Sequence, residues 1–266
     1  MADSAMTPAV SVIMPAFRAA ATAPAAVASV QAQTRPDWEL ILALDGSEDE
    51  AMATRTALES MAAADPRIRL LGGVGQRSGA GATRNRAIAA ARGRYLAFLD
   101  ADDTWLPIKL TRQLEFMEAR EAAFSFTAYR RIREGQAIPG QAEGRVVRVP
   151  DRIDHAGLLR GNVVGALTVM LDRDRIEPLM GSIAMPEIPM RQDFALWLKI
   201  LRHVPLAHGL DEVLAMHVRR PGSLSSGFVR PSLWTWRMLR REEGLGPIAA
   251  SAATLSHLAG RLIWRR

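Results

Sequence analysis

The stretch YLAFLDADD, residues 95–103, joins a short apolar run to three carboxylates, those of Asp100, Asp102 and Asp103. The apolar part is typical of a buried strand, and like charges this close repel each other unless a positive group joins them. Asp100 and Asp102 are two positions apart, so in an extended chain both side chains point to the same side. Hard divalent cations prefer oxygen ligands and are often held by one or two carboxylates together with substrate phosphates. The pattern therefore predicts a divalent cation at the end of this strand.

The same acids also have a purely structural interpretation. Asp102 or Asp103 would cap a helix that starts near Trp105, with Pro107 in its first turn. Because three acids are present, one of them can act as a cap while another binds a cation. The sequence leaves both roles open.

The composition of the chain narrows its class. Its 266 residues, 48% hydrophobic and 23% charged, are enough for one large α/β domain with a tail. The absence of cysteine excludes a disulfide framework, a thiolate zinc site and a cysteine nucleophile. The chain has no secretory signal pattern and no run of 18 apolar residues, so we expect a cytoplasmic protein without a membrane span.

The net charge of +6 predicts an anionic partner. A nucleic acid, a phosphorylated small molecule and an acidic membrane surface all match this charge. Of the 34 basic residues only Lys109 and Lys199 are lysines, and the planar guanidinium of arginine pairs well with phosphate. We expect no nucleic-acid partner, because only two tyrosines occur and aromatic residues are not interleaved with basic ones for base stacking.

The order of apolar runs predicts the fold. In the first hundred residues, strands alternate with helices of about 10 to 15 residues, as in parallel βαβ units. The strands are expected at residues 10–14, 38–44, 67–71 and 95–99. Ligands of such sheets bind beyond the carboxyl ends of the strands. The loops PAF (15–17), DGSED (45–49) and DADD (100–103) should therefore converge.

Beyond residue 120 the pattern is less regular. We expect antiparallel strands at 122–132 and 144–150, another strand at 166–171 and a helix at 191–203. The glycine and serine cluster PGSLSSG at 221–227 indicates a loop or boundary before a tail.

Two polar side chains near these loops are candidates for ligand binding. Asp45 follows the second strand, where its carboxylate can accept a hydrogen bond from a uracil imide or a ribose hydroxyl. Turn and cap chemistry is the alternative, and for Asp-Gly-Ser in isolation it is the favoured one. Arg84 lies in the first turn of a helix after a glycine-rich loop, and it can pair with a diphosphate or with the strand-end aspartates.

A fourth acid, Asp193, lies at the start of the apolar helix RQDFALWLKI. It can cap the helix, which is the usual role for an acid at this position. It can also act as a general base that removes a proton from an attacking hydroxyl. The histidines have no metal-ligand spacing, and no Gly-x-Ser-x-Gly elbow is present.

Taken in order, four stretches resemble glycosyltransferase family 2. They are VSVIMPAF (10–17), QTRPDWELILALDGSED (33–49), GAGATRNRAIAAARGRYLAFLDADDTWLPIKLTRQL (79–114) and RQDFALWLKI (191–200). The resemblance covers about residues 9–225 and implies the GT-A fold: an α/β domain with a Rossmann-like, mostly parallel sheet flanked by helices, a small antiparallel portion and a C-terminal helical tail. It implies a glycosyltransferase domain at residues 1–228 and a helical tail at 229–266.

The resemblance also implies roles for the motif residues. Asp102 would be the principal ligand of Mn²⁺ or Mg²⁺, and Asp100 would lie near the ribose or the metal. Asp193 matches the second acid of the family's Glu-Asp pair, the general base. The other contacts to the nucleotide sugar would come from Pro15, Ala16, Phe17, Asp45, Arg84 and Arg219.

The resemblance implies an inverting transfer of a sugar from a nucleoside-diphosphate sugar to an acceptor hydroxyl. Among the possible donors, a UDP-sugar is the first expectation. The acceptor would be a saccharide or a lipid-linked sugar in surface polysaccharide or glycolipid synthesis. Processive members of the family carry membrane spans, so a chain without them is expected to transfer single sugars. The alternative is a non-catalytic nucleotide-sugar-binding or scaffold protein of the same fold.

The sequence departs from the family pattern at three places. Leu44 occupies the position before Asp-Gly-Ser where the family usually has an acid. Gln192 replaces the Glu of the Glu-Asp pair. In AMHVRRPGSLS, Met216 and His217 replace the common Tyr-Arg opening. Diphosphate contacts are then expected from the next polar residues, Arg219, Arg220 and Ser223.

The tail contains Trp234, Trp236 and Trp264 among several arginines. Aromatic and basic residues on a helix can bind a membrane surface, which would place the protein at the inner face of the membrane as a peripheral protein. Packing of the tail against the domain is the interpretation that we favour.

Overall fold

The computed structural model describes residues 7–73, 75–133, 144–219 and 229–263, and in this part of the chain ten strands form one sheet. The strands are β1 (Val10–Ala16), β2 (Trp38–Leu44), β3 (Ile68–Leu71), β4 (Tyr95–Phe98), β5 (Thr104–Trp105), β6 (Phe124–Arg133), β7 (Arg145–Val147), β8 (Arg152–Ile153), β9 (Met170–Asp172) and β10 (Ala207–Arg219). The helices are α1 (Ala23–Gln31), α2 (Glu48–Ala64), α3 (Ala80–Ala90), α4 (Lys109–Ala119), α5 (His155–Arg160), α6 (Arg173–Met180), α7 (Gln192–Leu201), α8 (Val229–Arg241) and α9 (Pro247–Ile263). The main path through the sheet is β3-β2-β1-β4-β9-β6-β10-β5.

The first half of this path is parallel. β1 pairs with β2 and β4, and β2 pairs with β3, all in parallel register. Every residue of β2 is buried, as expected for a strand that is covered by helices on both faces. The predicted βαβ order is therefore confirmed, and the carboxyl ends of β1, β2 and β4 lie side by side at one edge.

The second half of the path mixes directions. β6 and β10 form a long parallel ladder, while β9 is antiparallel to both β4 and β6. β5, β7 and β8 add short antiparallel ladders. The predicted antiparallel pair around residues 134–143 is confirmed as β6 and β7, and the loop between them lies outside the described residues. The mostly parallel α/β sheet with a small antiparallel part is thus observed.

Two local predictions are wrong. The expected strand at 166–171 begins instead with a short 3₁₀ helix, Ala166–Thr168, and only β9 follows as a strand. The helix expected near Trp105 begins at Lys109, because Trp105 pairs with Ala215 in the sheet and its indole N–H donates to the Leu167 carbonyl at 2.8 Å.

Apolar side chains cover both faces of the sheet, in the alternation that a strand imposes. On one face Ile13, Ile41 and Phe98 pack with residues of α3 and α7. On the other face Val12 and Leu40 pack with residues of α1, α2 and α4. The Trp197 ring of α7 meets the Phe98 ring edge-on at 5.3 Å, so α7 is fixed against β4.

The tail helices pack on the rest of the protein. Met238, Leu239 and Ala250 are buried in the same hydrophobic cluster as α7. Glu243, just after α8, pairs with Arg202 at 2.6 Å and with His155 at 2.9 Å. The predicted domain boundary at 228/229 adjoins a segment outside the described residues and stays a prediction. None of the helices in the described residues has both the length and the apolar character needed to cross a bilayer.

Candidate active site

The site lies at the edge where the parallel strands end. Pro15 and Ala16 are the last residues of β1, and the backbone N–H of Asp45 donates to the Ala16 carbonyl at 2.9 Å. Phe17 follows directly, and the guanidinium of Arg77 lies 4.4 Å from the centre of its ring. The loops after β1 and β2 therefore converge as the sequence predicts.

Asp45 is buried and organises the loop that leads into α3. Its carboxylate accepts hydrogen bonds from the backbone N–H groups of Ser78 at 2.8 Å, Gly79 at 3.0 Å and Gly46 at 3.0 Å, and from the Ser78 hydroxyl at 2.8 Å. Burial alone would raise the pKa of Asp45, but these donors outweigh it and lower the pKa. The turn chemistry expected of Asp-Gly-Ser is thus present, while the role of helix cap falls to Ser47, which forms a capping box with Glu50.

Arg84, on α3, connects three acids of the site. Its guanidinium is ion-paired with Asp100, and its side chain is 9% exposed. Burial disfavours the charge of Arg84, but the carboxylates of Asp100, Asp193 and Asp102 outweigh burial and raise its pKa. Arg84 therefore joins α3 to the loop after β4 through Asp100, and it lies within the electrostatic range of the start of α7.

Asp103 was not assigned a binding role from the sequence, and in the structure it is a buried acid with two partners on β10. The carboxylate is 2% exposed at the side chain and accepts the backbone N–H of Val218 at 2.9 Å. It also pairs with Nδ1 of His217 at 3.1 Å. Burial raises the pKa of Asp103 to about 6 despite His217. Burial lowers the pKa of His217, but Asp103 outweighs it and the net shift is upward.

The Asp103–His217 pair joins the acidic turn after β4 to the end of β10. The two residues are 114 positions apart, so no local spacing could have revealed the pair. The expected helix cap by Asp102 or Asp103 is wrong, since the N-cap of α4 is Ile108 and makes no side-chain cap bond. Arg219 is exposed at the end of β10, and Arg220 and Ser223 lie outside the described residues.

Asp193 lies in the first turn of α7, and the expected capping role is wrong. The N-cap residue is Arg191, in a left-handed conformation with φ of 70°, and no side chain caps this helix. Gln192 packs against Gly81 at the start of α3. The N-terminal turns of α3 and α7 are therefore in direct contact, which brings Arg84 and Asp193 together.

The residues at the strand end match a hard divalent cation in their chemistry. Among the described residues no three histidine, cysteine or acidic side chains are grouped as a metal cage. Mg²⁺ and similar ions do not need such a cage, because they often bind one or two carboxylates and complete their shell with water and substrate phosphates. Asp100 is engaged by Arg84, and the role of Asp102 as the principal ligand stays a prediction.

Comparison with known proteins places the chain in a family. The sequence model described as glycosyl transferase family 2 matches residues 11–162. The chain is 38% identical over 238 residues to the putative teichuronic acid biosynthesis glycosyltransferase TuaG of Bacillus subtilis, covering 90% of each protein. It is 35% identical over 193 residues to the Escherichia coli UDP-Glc:α-D-GlcNAc-diphosphoundecaprenol β-1,3-glucosyltransferase WfgD, covering 73% of this chain and 70% of that one.

Solved structures agree in fold. The crystal structure of Staphylococcus aureus TarS with UDP-GlcNAc superposes with a TM-score of 0.69 at 16% identity, covering 94% of this chain and 71% of that chain. The structure of the mannosyltransferase PcManGT from Pyrobaculum calidifontis, with GDP-Man and Mn²⁺, superposes with a TM-score of 0.68 at 16% identity. The match covers 97% of this chain and 75% of that chain. The GT-A fold is thus shown by the structural likeness, and the family match and the identity to TuaG show that this chain belongs to glycosyltransferase family 2.

Proposed function

We propose that the protein is an inverting glycosyltransferase that moves a sugar from a nucleoside-diphosphate sugar to an acceptor hydroxyl in polysaccharide or glycolipid synthesis. One observation carries the proposal: the buried guanidinium of Arg84 on α3 pairs with Asp100 at the end of β4, and Gly81 of the same helix contacts Gln192, the neighbour of Asp193. A cationic side chain among acids at the carboxyl edge of a parallel sheet suits a substrate with a diphosphate at its reacting centre.

The donor would bind at the ends of β1 and β2. Pro15, Ala16 and Phe17 would hold the nucleoside, and Asp45 would contact its base by exchanging some hydrogen bonds from the Ser78–Gly79 turn. Arg84 and Arg219 would contact the diphosphate. A UDP-sugar is the first choice, because WfgD is named for UDP-Glc and TarS was solved with UDP-GlcNAc.

Mn²⁺ or Mg²⁺ would be held by Asp102, with Asp100 beside it. PcManGT was solved with Mn²⁺, which supports this assignment. When bound, such an ion acts as a Lewis acid that stabilises the charge developing on the departing diphosphate.

Asp193 would act as the general base. Its carboxylate takes the proton of the acceptor hydroxyl as the oxygen attacks the anomeric carbon. The bond from the anomeric carbon to the diphosphate oxygen breaks on the opposite face, so the configuration inverts in one displacement. No enzyme nucleophile is required. Gln192, in place of the family's Glu, keeps hydrogen-bonding capacity next to this base without adding a second negative charge.

The acceptor would be a lipid-linked sugar that receives one residue at a time at the cytoplasmic face of a membrane. The name of WfgD specifies a diphosphoundecaprenol-linked acceptor. A peripheral membrane contact through α9 would match this role: Ile248 is 85% exposed and Leu255 is 64% exposed, and residues 247–260 contain no Asp, Glu, Lys or Arg.

A panel of UDP-, GDP-, dTDP- and CMP-sugars tests the proposal, with thermal shift for binding and nucleotide release for turnover. We expect one UDP-sugar to stabilise the protein in the presence of Mn²⁺. Asp102→Ala should abolish the metal-dependent part of the shift, and Asp193→Asn should keep donor binding but reduce turnover by about 10²–10⁴-fold. Asp174→Asn, at an acid that is 70% exposed on α6, is the matched control.

The outcomes separate the alternatives. Donor binding without turnover for any acceptor extract would favour the non-catalytic binding protein. Equal metal responses from the wild type and Asp102→Ala would remove the metal assignment. No nucleotide-sugar binding at all would contradict the proposal itself.

A further inference from the structure

A cavity of about 310 Å³ lies between α8 and the loop Ile188–Met190. This volume is within the range of small-molecule sites. The loop continues directly into Arg191, Gln192 and Asp193. A ligand in this cavity would therefore lie beside the chain segment that carries the proposed base.

The lining of the cavity is both apolar and cationic. The loop residues, with Trp234, Trp236 and Met238, form apolar walls, and the guanidinium groups belong to Arg237, Arg240 and Arg241. Arg237 lies 5.2 Å from the Trp234 ring and Arg240 lies 5.8 Å from the Trp236 ring. A ligand that matches this lining has an apolar body and an anionic head.

The arginines are not equally available for a ligand. Arg240 donates to the Leu245 carbonyl at 2.6 Å, and Arg241 pairs with Glu242 at 3.2 Å. Arg237 is exposed and makes no ion pair with a carboxylate of the described residues. Guanidinium groups bind phosphate through two parallel hydrogen bonds, so Arg237 is the best placed to receive one.

A second observation concerns Arg191, which directly follows the loop. Arg191 adopts a left-handed backbone conformation, which is rare for a residue with a side chain and clusters at ligand sites. Its Nε is buried and has no hydrogen-bond partner within the described part of the chain. Burial lowers the pKa of Arg191, while Asp193 opposes this shift. An acceptor oxygen of a ligand near the loop, such as a sugar hydroxyl, would satisfy this buried N–H.

We propose that the cavity is the subsite for the prenyl diphosphate portion of the acceptor. The first prenyl units would lie on the Trp234 and Trp236 side, and the diphosphate would bind Arg237 at the rim, with Arg191 facing the linked sugar. This inference rests on the proposed function, because the sugar carried by this lipid has to reach Asp193.

The test measures binding rather than catalysis. Farnesyl diphosphate, farnesol and inorganic diphosphate are titrated into the full chain below micelle-forming concentrations, with saturating UDP and Mn²⁺ to fill the donor site. Heat of binding and tryptophan fluorescence are recorded. We expect farnesyl diphosphate to bind at least tenfold more tightly than either fragment and to change the fluorescence.

Variants assign the binding to this cavity. Arg237→Glu should weaken farnesyl diphosphate binding at least tenfold, and Arg237→Lys should weaken it less, while both keep UDP binding. Arg152→Glu is the control for lost charge, because Arg152 is also exposed but lies on β8. It should leave the affinity for farnesyl diphosphate unchanged. Trp234→Phe should remove most of the fluorescence change without loss of the fold.

Several results would overturn the inference. Equal affinity for farnesol would show an apolar pocket without phosphate recognition, and equal affinity for inorganic diphosphate would show an anion site without lipid recognition. An equal loss of farnesyl diphosphate affinity in Arg237→Glu and Arg152→Glu would indicate non-specific charge attraction. If UDP binds but farnesyl diphosphate does not, the subsite is wrong and the proposed transferase stands; if UDP also fails to bind, the proposed function is itself contradicted.

Discussion

The side chain of Gln192 packs directly against Gly81. A Cβ atom placed on Gly81 would lie 2.8 Å from Cγ of Gln192, closer than real Cβ contacts. Gly81 is in the first turn of α3 and Gln192 is the first residue of α7. The absence of a side chain at Gly81 therefore sets how closely Arg84 on α3 approaches Asp193 on α7.

Gly81→Ala should reduce turnover more than it reduces stability. The new methyl group has to push Gln192 and the start of α7 outward, and small displacements of a catalytic group can slow a reaction by up to about 10²-fold. We expect a fall of at least about tenfold in kcat with little change in donor affinity. Gly161→Ala, where a Cβ meets no atom within 4 Å, is the control. Unchanged kcat in Gly81→Ala would show that this contact does not position Asp193.

A second prediction concerns the joint between β9 and α6. Asp172 is 1% exposed, accepts two hydrogen bonds from Arg94 at 3.0 and 2.7 Å, and caps α6 through the N–H of Asp174 at 3.1 Å. Asp172→Asn keeps the shape but loses the charge that Arg94 pairs with. We expect a loss of about 2–3 kcal/mol in the free energy of unfolding, measured by urea titration.

The neighbouring acid supplies the comparison for this prediction. Asp174 also lies near Arg94, at 3.5 Å, but its side chain is 70% exposed. Asp174→Asn should therefore change stability by less than about 0.5 kcal/mol. Similar losses in the two variants would mean that burial of Asp172 does not determine its contribution.

The parallel half of the sheet could be predicted from the sequence because its signals are local. Runs such as WELILAL are apolar throughout, and a strand that is covered on both faces needs that composition. Once four such strands alternate with helices, the topology places their carboxyl ends at one edge. The convergence of the loops after β1, β2 and β4 follows from this order alone.

The rest depends on contacts between distant residues. Trp105 lies in a strand rather than a helix because it pairs with Ala215 of β10, which is far away in the sequence. The Asp103–His217 pair joins segments 114 positions apart. Asp45 carries the local signal of a turn, but its donors come from Ser78 and Gly79, 33 and 34 positions later. The family resemblance supplied candidate roles for the acids, and those roles stay predictions that the variants above address.

The buried lysine should make stability depend on alkaline pH. Lys109 is 0% exposed, bonds to Gln113 and lies 4.6 Å from the Trp105 ring. Burial lowers its pKa from 10.5 to about 7. Between these values the unfolded chain binds a proton that the folded chain has released, so stability rises with pH across that window.

Lys109→Met isolates this effect. Relative to the variant, the wild type should gain about 1–3 kcal/mol of unfolding free energy between pH 7 and pH 10. Lys199→Met removes the only other lysine, which is exposed on α7, and is the control for lost charge. A wild-type curve parallel to that of Lys109→Met would show that Lys109 stays protonated in the fold.

The tail should loosen in acid because of His257 on α9. Its Nε2–H donates to the Leu159 carbonyl at 2.9 Å and its Nδ1 accepts the N–H of Asn162 at 3.3 Å, an arrangement that only the neutral ring can make. Burial lowers its pKa to about 4, so below pH 6.5 the unfolded chain binds a proton that the fold excludes and stability falls as pH drops toward 4. Relative to His257→Gln, the wild type should lose about 2 kcal/mol between pH 6.5 and pH 4.5, measured by urea titration. His203→Gln, at an exposed histidine, is the control, and a constant gap between wild type and His257→Gln would contradict the assignment.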